Sequence, residues 1–399
     1  MTSRPKTDRT GSVVAGMTLV TAGSMVANIA GYVLHVPASR WLGPAGYSEF
    51  AALLTAQLVL AVPALALQTV VARELVRGAS PGELRALQQR CAALVAALAL
   101  VAVVPLAAIL DIGVLPTVAA LIVAPVLVLL SGEQGLLQGA GRFRELAIVL
   151  GAAGVFRVAP AVVVLAVGGG TAAALVASAC GIAVTTAGAR AVAGRSERAG
   201  RPSAGVAAVL KASQVQLAVI ALSSLDLLIA RIVLSEDNAG LYALGAVATK
   251  AAFWLPQAVG VVLYPRMAHP EHSARALRTA LAVLAVLGAV TVLGVLVASP
   301  LAPLVVGDKY SPVQGLLWAF ALHGACLAIV QCALLSAIAG DRTRVALIAW
   351  AGLVIEVSLM FALGHSVAQL IGIAVACASA TAIVACAVAL ENSRSIVVS

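Results

Sequence analysis

Apolar runs of roughly twenty residues, separated by short polar, basic or Gly/Pro-bearing segments, recur along the whole of the 399-residue chain. A helix of that length crosses a hydrocarbon core about 30 Å thick. With no water to satisfy backbone N–H and C=O groups there, a helix is the form such a run must take. The pattern predicts twelve spans, at 12–38, 49–72, 91–110, 114–136, 145–167, 171–192, 211–234, 240–264, 276–298, 313–338, 345–364 and 367–390. The first run is long and leads into further spans, so it reads as a retained helix rather than a signal peptide.

Composition agrees with this all-helical, polytopic membrane class. The chain is 62% hydrophobic and 10% charged, where a soluble domain carries about a quarter charged residues. The six cysteines, Cys91, Cys180, Cys326, Cys332, Cys377 and Cys386, all lie in apolar segments and none forms a CxxC pair. They read as small hydrophobes in helix packing, and neither a metal nor a cofactor is expected.

Charge fixes an expected orientation. Twenty of the 25 lysines and arginines fall on alternate connections and the two tails, and three (Arg40, Arg231, Lys309) on the opposite connections. This bias predicts that both termini are cytoplasmic. The net charge of +9 follows from those connections and points to anionic headgroups rather than nucleic acid as partners. The segment GASPGELRALQQR carries a capping signal, Ser80 with Glu83 three residues on and Pro81 between. It is expected to be either a short helix on the lipid surface or a plain connector.

The chain also repeats itself. LHVPASRWLGPAGYSEF at 34–50 aligns with LDLLIARIVLSEDNAGLYAL at 225–244, so that Arg40 matches Arg231 and His35 matches Asp226. LLQGAGRFR at 136–144 matches LLSAIAGDRTR at 334–344. Two parallel six-helix lobes, 1–200 and 201–399, are expected, with a site between them near the midplane. That architecture suggests a transporter. No connection is large enough for a soluble catalytic domain, and an enzyme such as a membrane glycosyltransferase is disfavoured. A channel filter loop and the Asp-Arg signature of the major facilitators are both missing from the sequence.

The ordered set ASRWLGPAGYSEFA, LLQGAGRF, LDLLIARIVLSEDNAGLYAL, WLPQAVGVVLYPRM and VVGDKYSPVQGLL resembles the multidrug/oligosaccharidyl-lipid/polysaccharide (MOP) exporter superfamily. Within it, the chain is similar to the polysaccharide-biosynthesis flippases of the Wzx type. The resemblance implies a V-shaped pair of MATE-like lobes in the plasma membrane of a bacterium, working by alternating access. It implies export of a polyprenyl-pyrophosphate-linked glycan from the inner to the outer leaflet, coupled to H+ or Na+, with polysaccharide assembly enzymes as partners. The alternative in the same superfamily is a cation-coupled multidrug antiporter.

Ionisable residues within spans need a partner or an aqueous cavity. Arg157 and Lys250 are the candidate cations for a pyrophosphate, since arginine matches phosphate oxygens bidentately. Arg157 could instead snorkel or pair with Glu133 or Asp226. Arg40 and Arg231 are candidates at the cavity mouth, with headgroup anchoring as the other reading. Asp226, His35 and Glu356 are the candidate coupling or gating groups, and Asp226 and His35 are expected to face one another between the lobes. Glu356 faces lipid or pairs with Lys250. Prolines at 37, 63, 105, 125, 160 and 256 are expected to interrupt helices, the matched pair Pro63 and Pro256 acting as hinges.

Overall fold

The computed structural model describes residues 7–194, 205–254, 273–339 and 344–395, and no strand occurs among them. The first two expected spans are joined in one helical stretch, Thr7–Leu60, broken internally at Gly43. There φ is 68° and ψ 177°, a conformation open to glycine and strained for other residues. A second break at Ala61 leads into Val62–Val76, with Pro63 in the first turn, where its missing N–H leaves no intrahelical bond unmade. The expected span at 114–136 is likewise two helices, Val114–Leu121 and Val123–Gly139.

Elsewhere the prolines behave differently from expectation. Pro105 and Pro160 lie inside the helices Pro81–Leu110 and Phe143–Ala166 without dividing them, because neighbouring helices can re-satisfy the freed carbonyls. Pro256 lies outside the described residues. The capping box is formed: the Glu83 backbone N–H donates to Ser80 Oγ at 3.2 Å, and the Ser80 N–H donates to Glu83 Oε2 at 3.1 Å. It opens a helix that runs unbroken from Pro81 to Leu110, so residues 81–90 extend a span rather than forming a separate surface helix.

The expected seventh span is split at Ser223 and Ser224 into Val206–Leu222 and Leu225–Val233. Glu236–Trp254, Ser273–Ala298, Leu317–Ala339, Arg344–Leu363 and Val367–Ser395 follow, with short turns filling 299–314. Among the described residues, eight helices are long and apolar enough to cross a membrane. The first, Thr18–Val76, has 59 residues, enough for two crossings. The chain is a multi-pass membrane protein.

Packing divides the chain into two compact units. One comprises Met1–Trp41 with Ala56–Gln216; the other comprises Leu42–Thr55 with Leu217–Ser399. The division therefore does not follow chain order: residues 42–55 leave the first half and pack with the second. In the first unit Val123–Gly139 is central, flanked by Val62–Val76, Pro81–Leu110 and Thr171–Ala193. Small residues allow the close approaches that drive helix association in lipid. A Cβ at Gly154 would strike Ala27, and one at Gly181 would strike the Phe156 carbonyl.

In the second unit Leu317–Ala339 is the central helix, packed on Glu236–Trp254, Ser273–Ala298 and Val367–Ser395. Gly324 brings it against the Thr249 backbone, and the Thr249 hydroxyl donates to the Phe320 carbonyl at 2.9 Å. Leu222, Phe253, Leu327, Val330, Leu353 and Ala378 fill the core between these helices.

Candidate functional site

The break at Ser223 and Ser224 decides where Asp226 stands. It puts the aspartate in the first turn of Leu225–Val233, where unpaired backbone N–H groups and the helix dipole favour a negative charge. A carboxylate in this apolar run is thus held at a helix start, buried inside the second unit with 2% of its surface exposed.

Three further polar side chains converge on it. The Tyr242 hydroxyl, from Glu236–Trp254, donates to Asp226 Oδ2 at 2.9 Å. His323, from Leu317–Ala339, places Nδ1 3.9 Å from the same oxygen and is fully buried. Glu356, from Arg344–Leu363, is 2% exposed and lies within electrostatic reach of both Asp226 and Tyr242. Phe320 closes one side, edge-on to Tyr242 with ring centroids 5.0 Å apart. Asp226 Oδ1, Glu356 Oε2 and both His323 ring nitrogens have no hydrogen-bond partner among the described residues. Buried polar atoms are rarely left so. The cluster therefore holds polar atoms that a proton or another polar group could engage.

Among the sequence candidates, Asp226 and Glu356 meet here. Glu356 thereby faces the interior of its unit rather than lipid. The polar partners of Asp226 are Tyr242 and His323, both in its own unit, whereas His35 is half-buried in the first unit. Tyr242 lies in the repeat text LDLLIARIVLSEDNAGLYAL, and the sequence signal for His323 is an ionisable residue inside the apolar text ALHGACLAI.

The repeat tyrosines do correspond in environment. Tyr47 is fully buried and meets Tyr310 edge-on at 6.2 Å, as Tyr242 meets Phe320. Burial, with Asp237 nearby, raises the Tyr310 hydroxyl above its ordinary pKa. The repeat arginines differ. Arg40 is exposed, whereas Arg231 is buried and donates to Ser48 Oγ at 3.3 Å and Glu236 Oε1 at 3.2 Å. Arg231 thereby fastens residues 42–55 to Leu225–Val233.

Arg157 is half-buried, and its carbonyl accepts from the Ser178 hydroxyl at 2.8 Å. Glu133 is paired with Arg85, at Nη2–Oε2 2.9 Å. Lys250 is half-buried on Glu236–Trp254, two turns beyond Tyr242. All six cysteines are free thiols.

No protein-family model matches the chain, and no curated protein sequence matches it. Solved structures do. The lipid II flippase MurJ in an inward closed conformation aligns with a TM-score of 0.71 at 12% identity, covering 94% of this chain and 87% of that one. A variant of the Vibrio cholerae MATE transporter VcmN aligns at 0.65 and 17%, covering 98% and 99%. A MOP superfamily transporter from Pyrococcus furiosus aligns at 0.61 and 14%, covering 96% of each. At these identities the likeness is one of fold: the chain has the all-helical fold of MATE and MOP transporters over nearly its full length.

Proposed function

We propose that this chain is a MOP-type transporter, with its termini in the cytoplasm, that carries lipid-linked oligosaccharide precursors from the inner to the outer leaflet by alternating access. The observation that carries the transport reading is the buried, under-bonded Asp226–Tyr242–His323–Glu356 cluster in a fold shared with a MATE transporter and a lipid II flippase. A coupling site must change its charge without unfolding the helices around it, and four convergent polar groups at one helix start meet that requirement. Asp226 and Glu356 take the coupling ion, H+ or Na+.

Arg157 and Lys250 supply the positive charge for a pyrophosphate, and Pro63 serves as a hinge beside the break at Ala61. The lipid-linked substrate is favoured by motifs that resemble those of polysaccharide flippases and by the fold likeness to a lipid II flippase. A cation-coupled drug antiporter is the second reading, favoured by the fold likeness to MATE transporters.

The deciding experiment follows a fluorescent polyprenyl-pyrophosphate sugar between leaflets of proteoliposomes, with and without a pH or sodium gradient. Gradient-dependent movement that is lost in Arg157→Ala supports the flippase and its phosphate contact. Absence of movement, alongside gradient-driven efflux of organic cations, assigns the chain to drug antiport.

A further inference from the structure

His323 is the member of the buried cluster with no hydrogen bond to either ring nitrogen among the described residues. Among the described residues, the helices packed on Leu317–Ala339 carry the ionisable groups nearest to it in the fold. Glu236–Trp254 brings Tyr242 and Lys250, Arg344–Leu363 brings Glu356, and Val367–Ser395 brings Cys377 and Cys386. Ser273–Ala298 carries Arg278, and the histidine's own helix carries Cys326 and Cys332. Of these, together with Asp226 on Leu225–Val233, the Asp226 carboxylate is the one placed against His323, with Oδ2 3.9 Å from Nδ1.

We infer that His323 makes this cluster a proton site and bars sodium from it. Two carboxylates in a dry interior, Asp226 and Glu356, call for positive charge beside them. A hard cation such as sodium supplies it only where oxygen atoms surround the ion. Here one flank of Asp226 is taken by an imidazole, which presents nitrogen, a ligand suited to softer metals. Once protonated, the ring also repels any second cation. The imidazolium itself fills the need: moving about 1 Å closer, it forms a charge-assisted hydrogen bond to Asp226 Oδ2. Tyr242 already donates to that oxygen, so the aspartate is held in place while the proton passes between ring and carboxylate. No atom other than the proton need enter or leave the pocket. Substrate choice is not involved; the inference concerns which ion drives the transporter, and it rests on the cluster being the coupling site.

The test is retention of radioactive sodium by the full-length protein in lipid nanodiscs at pH 8, for wild type, His323→Gln and Asp226→Asn. Wild type is expected to retain no more sodium than Asp226→Asn. His323→Gln, with an amide oxygen in place of a ring nitrogen, is expected to retain about ten-fold more, the low end of what one changed group at a metal site is worth in affinity. Saturable sodium binding by wild type that Asp226→Asn abolishes overturns the inference. So does a folded His323→Gln that binds no sodium, since another feature then excludes the ion. Should His323→Gln fail to fold, His323→Asn is read in its place and the wild-type measurement still decides. The coupling role is tested separately by the lipid-linked sugar assay. If Asp226→Asn moves the sugar as wild type does at every pH, the coupling role falls while the sodium result stands.

Discussion

Arg85 holds Glu133 side-on through one edge of its guanidinium, Nε to Oε1 at 3.0 Å and Nη2 to Oε2 at 2.9 Å, and Nη2 also donates to the Gly194 carbonyl at 2.8 Å. Both side chains are almost wholly enclosed, 7% and 1% exposed. Three helices thus meet in one clamp: Pro81–Leu110, Val123–Gly139 and the end of Thr171–Ala193. Gly194 ends that last helix with a φ of 88°, leaving its carbonyl free to be capped. Gln88, one turn on from Arg85, donates to the Leu129 carbonyl at 2.8 Å and tightens the same corner.

Removing one partner of such a pair leaves a buried charge uncompensated, which costs about 3–5 kcal/mol. Glu133→Ala is expected to lower thermal stability in detergent by that amount, and Arg85→Ala by less, because Arg190 Nη1 lies 3.9 Å from Glu133 Oε1. An Arg85→Met/Glu133→Leu double variant, apolar and of similar volume, is expected to recover most of it. Melting curves of the four proteins check this. A double variant as unstable as the sum of the single ones would show that the clamp is not acting as a pair.

The sequence reveals the membrane class, the helical form and the exporter-like motif order, because a bilayer allows few alternatives to an apolar helix. It reveals Asp226 and Glu356 because charge in an apolar run stands out. It does not reveal their partners. Arg85 and Glu133 lie 48 residues apart, and arginine in a basic connection looks like any other positive-inside residue. Helix breaks are also obscure. Ser223–Ser224 and Ala61 interrupt spans whose hydropathy is continuous, while Pro105 and Pro160, the stronger sequence signals, leave their helices whole. In lipid the neighbouring helices decide whether a lost hydrogen bond becomes a break, and neighbours are a tertiary fact.

Tyr242→Phe deletes the hydroxyl that donates to Asp226 and keeps the ring against Phe320. A hydrogen bond to a charged group is worth about 1.5–3 kcal/mol, so the variant is expected to be less stable by that order at neutral pH. In Asp226→Asn the same Tyr→Phe change is expected to cost less, about 0.5–1.5 kcal/mol, because the acceptor is neutral. The double-mutant cycle in thermal melts measures the difference. Equal costs in the two backgrounds would mean that the aspartate carries no charge in the resting protein.

Gly43 and Gly240 fail on substitution for different reasons. At Gly43 a Cβ would find space, its nearest neighbour being Lys309 Nζ at 4.0 Å, but the backbone φ of 68° is strained for any other residue. Gly43→Ala is therefore expected to cost about 1–3 kcal/mol without a clash. At Gly240 a Cβ would run into the Pro44 carbonyl, and neither backbone can move without displacing residues 42–55. Gly240→Ala is expected to cost more than Gly43→Ala, and Gly240→Val more again, whereas Gly43→Val should resemble Gly43→Ala apart from the added β-branch strain. A melting series of the four variants checks the order.

Arg231 and Arg40 occupy matching positions in the repeat, yet their surroundings separate their roles. Arg231 is buried and holds Ser48 and Glu236, so truncation leaves two acceptors short of a donor and loosens residues 42–55. Arg231→Ala is expected to cost about 2–3 kcal/mol. Arg231→Lys is expected to recover only part, since an ammonium cannot reproduce the two-sided reach of a guanidinium. Arg40 is exposed, and Arg40→Ala is expected to cost less than Arg231→Ala, since interactions of exposed charges are weak. Melting temperature and movement of the lipid-linked sugar, measured on the same preparations, separate structure from substrate contact. If Arg231→Ala melts as wild type does but no longer moves the sugar, the arginine serves the substrate. If it melts early and regains transport on cooling, Arg231 is a fastening for residues 42–55.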